Sequence, residues 1–107
     1  MPFIVYCQDR SGADDLRKEF LADHFAYIET ILERIAVAGP MRDRSGGHIM
    51  GSCFIYHTDD EAEARELLEN DPYYRAGIYD QIEYHRFLGA AGSWVGCLLY
   101  TSDAADE

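Results

Sequence analysis

His24 and Asp71 are the two residues of this chain best suited to chemistry. Counted at about 100° per residue from Leu16, His24 falls in the middle of an apolar stripe made by Leu16, Phe20, Tyr27 and Ile31. A titratable ring is thereby aimed at the core side of a helix. Taken alone, such a histidine is more often structural, with one satisfied hydrogen bond, than catalytic. Asp71 stands in the stretch NDPYYRAGIYD, directly before Pro72. The proline confines Asp71 to extended backbone and makes a good first residue for a short helix, which the Asp71 carboxylate can cap. One carboxylate oxygen can serve that cap while the other accepts an N–H from the imidazole. Such a pair fixes the tautomer of the ring and stabilises its protonated form, while burial opposes the charge. It suits general acid–base catalysis, which contributes ~10²–10⁴-fold to a rate.

The other polar candidates are weaker. Ser52 can lend a hydrogen bond to a substrate carbonyl, although a serine in a strand usually just packs. Arg42 and Arg44 sit on the polar stretch MRDRSGG and can meet an anionic ligand; exposed arginines on a turn more commonly face solvent. Tyr73 is a candidate ligand contact, with packing of the short helix as its commoner role. No Ser or Cys falls in a triad pattern, so covalent catalysis is unsupported. His48, His57 and His85 show no zinc spacing, and no distinctive haem motif accompanies His24. The expectation is therefore a site without a cofactor or metal.

These residues need a scaffold. PFIVYCQ reads as a strand, followed after SGADD by a helix over Leu16–Arg34. IAVAGP and HIMGSCFIYH are two further strands around the MRDRSGG turn. Thr58-Asp-Asp-Glu61 has the capping-box pattern for a second helix, which fades near Asn70. IYDQIEYHRF is the last strand. The order β-α-β-β-α-β is that of a ferredoxin-like α+β fold, an antiparallel sheet with two helices on one face. In it the start of the first helix and the end of the second share one edge, with Gly39-Pro40 and Ser52. Whether His24 meets Asp71 depends on the helix start. At about 1.5 Å per residue, a helix from Asp14 carries His24 roughly 15 Å along its axis, whereas a start near Phe20 leaves it at the edge. FIVYC and CFIY are apolar at successive positions, so both sheet faces should be covered. Two helices cover one face, and a second copy packed sheet to sheet covers the other, which makes a homodimer the expected state.

The chain has 107 residues and a formal net charge of −11. One domain of this size, with that charge, is a poor partner for nucleic acid or anionic membrane. Three cysteines without a pairing pattern, no long apolar run and no signal-peptide pattern at the N-terminus predict a cytoplasmic protein. The last eleven residues, CLLYTSDAADE (97–107), resemble the translation of a sequencing adapter rather than native sequence. The expected layout is a domain over 1–88, a possible native C-terminal beginning at 89–96, and an extraneous tail. Without the tail's acids the chain remains acidic.

FIVYCQD, His24-Phe25, AGPM (38–41), Gly51-Ser52 and DPYYRAGIYD (71–80), taken in order over about residues 2–88, resemble the YciI family of the dimeric α+β barrel superfamily. The resemblance implies a ferredoxin-like fold with a histidine/aspartate site at His24 and Asp71. One branch of the family is associated with dehydrochlorination of a chlorinated hydroxymuconate, chemistry akin to that of muconolactone isomerases. Many relatives carry Arg-Pro just ahead of the histidine, where this chain has Leu21-Ala22-Asp23. The function expected is proton transfer on a small, anionic or carbonyl-bearing molecule by a homodimeric enzyme, through isomerisation, lactone chemistry or HX elimination. The alternative is a non-catalytic ligand-binding or accessory module with a dyad that merely stabilises a pocket.

Overall fold

A computed structural model of the chain describes residues 1–97, so most of the adapter-like tail lies outside the described residues. Four strands form one antiparallel sheet: β1 (Phe3–Asp9), β2 (Ile35–Arg42), β3 (Ile49–Tyr56) and β4 (Tyr79–Arg86), in the order β2-β3-β1-β4. Cys7 pairs with Ser52 on one side and with Ile82 on the other, which puts the two central strands in contact along their length. The fold is ferredoxin-like α+β. Among the described residues, no helix is long and apolar enough to cross a membrane.

Strand alternation decides which face meets the helices. Phe3, Val5 and Cys7 of β1 and Phe54 and Tyr56 of β3 are buried, and with Ala64 and Leu68 they make the main core. Side chains of opposite parity point the other way: Ile4 lies opposite Ile55, and Tyr6 opposite Cys53. Tyr6 is exposed and the other three are half-buried, so this second face carries an apolar surface that no helix among the described residues covers.

The helical layer differs from the sequence expectation at two places. The predicted single helix over Leu16–Arg34 is three pieces: α1 (Asp14–Glu19), α2 (Leu21–Thr30) and a 3₁₀ turn at Leu32–Arg34. Phe20 separates α1 from α2 with φ −101° and ψ 10°, and its carbonyl still accepts from the His24 N–H at 2.9 Å. His24 is thus in the first turn of α2, close to the sheet edge. The second helix, α3 (Glu61–Glu69), is capped by Asp60, not Thr58. The Asp60 carboxylate accepts from the Ala62 N–H at 3.0 Å, while the Thr58 hydroxyl accepts from the Asp60 N–H. Each short side chain therefore caps the residue two positions ahead, an Asx or ST turn, and the helix begins later. A short helix, α4 (Pro72–Arg75), follows, and a two-residue hairpin of β5 (Ala91–Gly92) and β6 (Gly96–Cys97) ends the described chain.

At Gly51 the strands come unusually close. A Cβ there would lie 2.2 Å from the Cys7 carbonyl oxygen and 3.0 Å from the Met41 side chain. Only glycine fits without moving backbone.

Candidate functional site

Asp71 is the anchor of the site. As the N-cap of α4 it has extended backbone, φ −70° and ψ 129°, with Pro72 as the first helical residue. Its Oδ1 accepts from the Tyr73 N–H at 2.9 Å, and His24 Nδ1 lies 2.8 Å from the same oxygen. The expected division of labour, one oxygen per partner, is replaced by convergence of both donors on Oδ1. Oδ2 is buried and has no hydrogen-bond partner among the described residues. Asp71 itself is wholly buried.

An ionised carboxylate only accepts, so this pairing calls for a hydrogen on His24 Nδ1. Nε2 makes no hydrogen bond among the described residues and is not sealed from solvent. The ring is 13 % exposed. In the neutral imidazole Nε2 is then the basic nitrogen, and in the protonated ring it is a donor. The imidazole lies flat on Tyr73, with centroids 3.9 Å apart and planes 4° from parallel. Phe25 meets it at 5.7 Å with a tilt of 41°.

A second cluster adjoins the first. Arg17 of α1 is only 8 % exposed and donates through Nε and Nη2 to the two carboxylate oxygens of Asp9, at 2.6 and 2.8 Å. The same Nη2 donates to Ser52 Oγ at 2.9 Å, and the Tyr79 hydroxyl donates to that oxygen at 3.0 Å. Tyr73 joins the clusters: its hydroxyl donates to the Arg17 carbonyl at 3.2 Å, and the guanidinium carbon lies 5.2 Å from its ring centroid. Burial by itself would lower the Arg17 pKa, but the Asp9 hydrogen bond and charge raise it above the ordinary value.

Burial and the Asp71 charge act together on the neighbouring acids. The Cys7 thiol is pushed up to about 12, first by burial and then by Asp71. Burial followed by Asp71 also raises the Tyr56 and Tyr27 phenols. These groups remain protonated near neutral pH and supply no thiolate or phenolate nucleophile. Tyr56 also has a buried hydroxyl with no partner among the described residues.

Of the residues singled out in the sequence, the structure brings together His24, Asp71, Tyr73 and Ser52, the last through Arg17. Arg42 and Arg44 are exposed at the β2–β3 turn, Arg42 donating to the Gly46 carbonyl at 3.0 Å, and neither bonds to those four. The cation beside the site is Arg17, which the sequence reading passed over together with Asp9 and Tyr79. A signal for Asp9 existed: it continues the inward positions Phe3, Val5 and Cys7, where an acid needs a buried cation. A cleft of about 290 Å³ opens at the end of β1 beside Asp9, Arg10, Asp14, His48 and Met50, but His24 and Asp71 do not line it. Among the described residues, no group of three or more His, Cys, Asp or Glu side chains is arranged to hold a metal.

The chain as a whole is similar to known proteins. Residues 1–88 match the model of the YCII-related domain. The chain is 26 % identical over 94 residues to Protein YciI of Escherichia coli O6:H1 (strain CFT073), covering 81 % of this chain and 96 % of that one. Protein YciI of Shigella flexneri matches to the same extent. Among solved structures, 5-chloro-2-hydroxyhydroquinone dehydrochlorinase (TftG) of Burkholderia phenoliruptrix AC1100, in complex with 2,5-dihydroxybenzoquinone, superposes with a TM-score of 0.73. It is 29 % identical, and the match covers 82 % of this chain and 94 % of that one.

Proposed function

Because the chain belongs to the YCII-related domain family, we propose that it is a small-molecule enzyme in which His24 moves a proton and Asp71 orients it. The observation that carries this reading is the His24 Nδ1 to Asp71 Oδ1 contact of 2.8 Å, which leaves Nε2 as the working nitrogen. The dehydrochlorinase neighbour supports, as the reaction, elimination of HX from a small hydroxylated ring or a similar anionic, carbonyl-bearing molecule. Such an elimination sends a proton to a base and a halide to solvent. Nε2 is the base, and Ser52 is a hydrogen-bond donor to a substrate oxygen. With Arg17 and Tyr79 both donating to its oxygen, Ser52 retains its own hydroxyl hydrogen for another acceptor. Phe25, exposed beside the imidazole, presents aromatic surface suited to a flat ring.

The test is chloride release from 5-chloro-2-hydroxyhydroquinone, alongside binding of 2,5-dihydroxybenzoquinone. The enzyme reading expects turnover that falls by ~10²–10⁴-fold in His24→Ala while the protein stays folded. Binding of the quinone with no release of chloride from this or other halogenated ring substrates favours a ligand-binding module instead.

The working unit in this proposal is a homodimer. The open sheet face of Ile4, Tyr6, Cys53 and Ile55 is the surface a second copy would cover. Ile55→Arg places a charge at its centre and should convert a dimer to monomers in sedimentation velocity. A wild-type chain that sediments as a monomer at micromolar concentration rules this arrangement out.

A further inference from the structure

We infer that Arg17 is a positioning residue for the His24–Asp71 pair. Locked onto Asp9, its guanidinium holds Ser52 and lies over the face of the Tyr73 ring, and Tyr73 in turn holds the plane of the His24 ring. The inference rests on the reading of His24 as the proton-moving group and extends it to a residue on a different helix.

The need for such a device follows from the break at Phe20. Arg17 is on α1 and His24 on α2, so helix geometry alone does not fix one against the other. Tyr73 spans the gap. It touches Arg17 through its hydroxyl and its ring, His24 through the stack at 3.9 Å, and Asp71 through its backbone N–H. Arg17 is itself rigid: three donor contacts to Asp9 and Ser52, all between 2.6 and 2.9 Å, leave a nearly buried side chain little freedom. A guanidinium tied at both ends can transmit position in a way that a solvated arginine cannot. The imidazole, by contrast, has one hydrogen bond among the described residues and can rotate about it unless the Tyr73 face holds it. A tilt of the ring redirects Nε2, and misplacement of about 1 Å can reduce a rate ~10²-fold.

The ordinary alternative is an ion pair that merely ties α1 to the sheet. Arg17→Lys separates the two, because lysine keeps the charge but cannot span both Asp9 oxygens and Ser52. The first readout needs no substrate: the Tyr73 ring current should displace the His24 Hδ2 and Hε1 resonances in the NMR spectrum of the wild-type protein. In Arg17→Lys that displacement should fall by about half or more, while the Val5 methyl signals in the core keep their positions. The second readout is kcat for chloride release from 5-chloro-2-hydroxyhydroquinone, expected to fall about 10-fold or more with KM changed less than about two-fold. Asp9→Asn, which keeps the arginine and loosens its anchor, should move both readouts the same way and serves if the lysine variant does not fold. A variant with a lower Tm but unmoved His24 resonances overturns the inference. If the wild type releases no chloride, it is the proposed reaction that fails, and the NMR readout still decides the role of Arg17.

Discussion

Two carboxylate pairs, Asp9 with Arg17 and Asp71 with His24, lie close together at one edge of the sheet, and they are built in opposite ways. Asp9 spends both oxygens on Arg17, whose Nη2 also reaches Ser52. Asp71 uses one oxygen for two donors, and the other is buried without a partner among the described residues. The first pair is saturated and joins a cation that does not deprotonate to its counter-charge. The second joins a carboxylate to a ring that can gain or lose a proton without leaving its place. The difference separates rigidity from reactivity: a saturated pair holds shape, and an unsaturated one keeps the capacity to change state.

The strongest way to break this contrast is to remove one carboxylate at a time and measure urea unfolding. Asp9→Ala strands a buried guanidinium and should lower stability by about 3–5 kcal/mol. Asp71→Asn keeps an acceptor oxygen for the α4 cap and for the His24 N–H, so its loss should be nearer about 1–2 kcal/mol. Equal losses would show that the two pairs do the same work. A second test uses pH. The Cys7 thiol, raised by burial and then by Asp71, stays protonated in the folded state up to about 12, whereas the unfolded thiol ionises near 9.0. Unfolding therefore becomes easier as pH rises through this window, and the stability is fully present only below about pH 9. Urea titrations at pH 8 and 10.5 should show a decline approaching about 1.4 kcal/mol per pH unit from this group, with the buried tyrosines adding to it. Cys7→Ala should make the decline shallower. The smallest effect is the sharpest on geometry. Tyr56→Phe removes a buried hydroxyl with no partner among the described residues and should change stability by no more than about 1 kcal/mol, toward greater stability. A loss of that size instead would mean that the hydroxyl has a hydrogen-bond partner in the folded protein.

What the sequence disclosed divides along the same line. The strands were legible because apolar runs such as FIVYC and CFIY leave little choice of element, and the Asp71 cap was legible because Asp-Pro is a local signal. The break at Phe20 was not. LRKEFLADHF keeps helical spacing across it, and only the requirement that His24 reach the sheet edge favoured a later start. The arginines on the polar turn drew attention because they looked available, yet availability is the opposite of what a buried site selects. Arg17 sits in DDLRKE, a stretch that reads as a solvated helix face, and its partners Asp9 and Ser52 come from two different strands. Pairing over such distances is set by topology, which no local window contains. The move of the α3 cap from Thr58 to Asp60 is a competition between two adjacent short side chains, each able to bond the N–H two residues on.

Gly51 shows how narrowly the site's frame is determined. Its neighbour Ser52 faces Arg17, and the strand opposite carries Asp9, so the separation of β1 and β3 at this point sets the span the guanidinium must bridge. A methyl group on Gly51 would need space already occupied by the Cys7 carbonyl, 2.2 Å away. To a gene drifting by single-codon steps, each missense change at this codon adds at least one carbon to a place that holds none. The nearest wall around the site is therefore not a charge or a hydrogen bond but an atom that is missing.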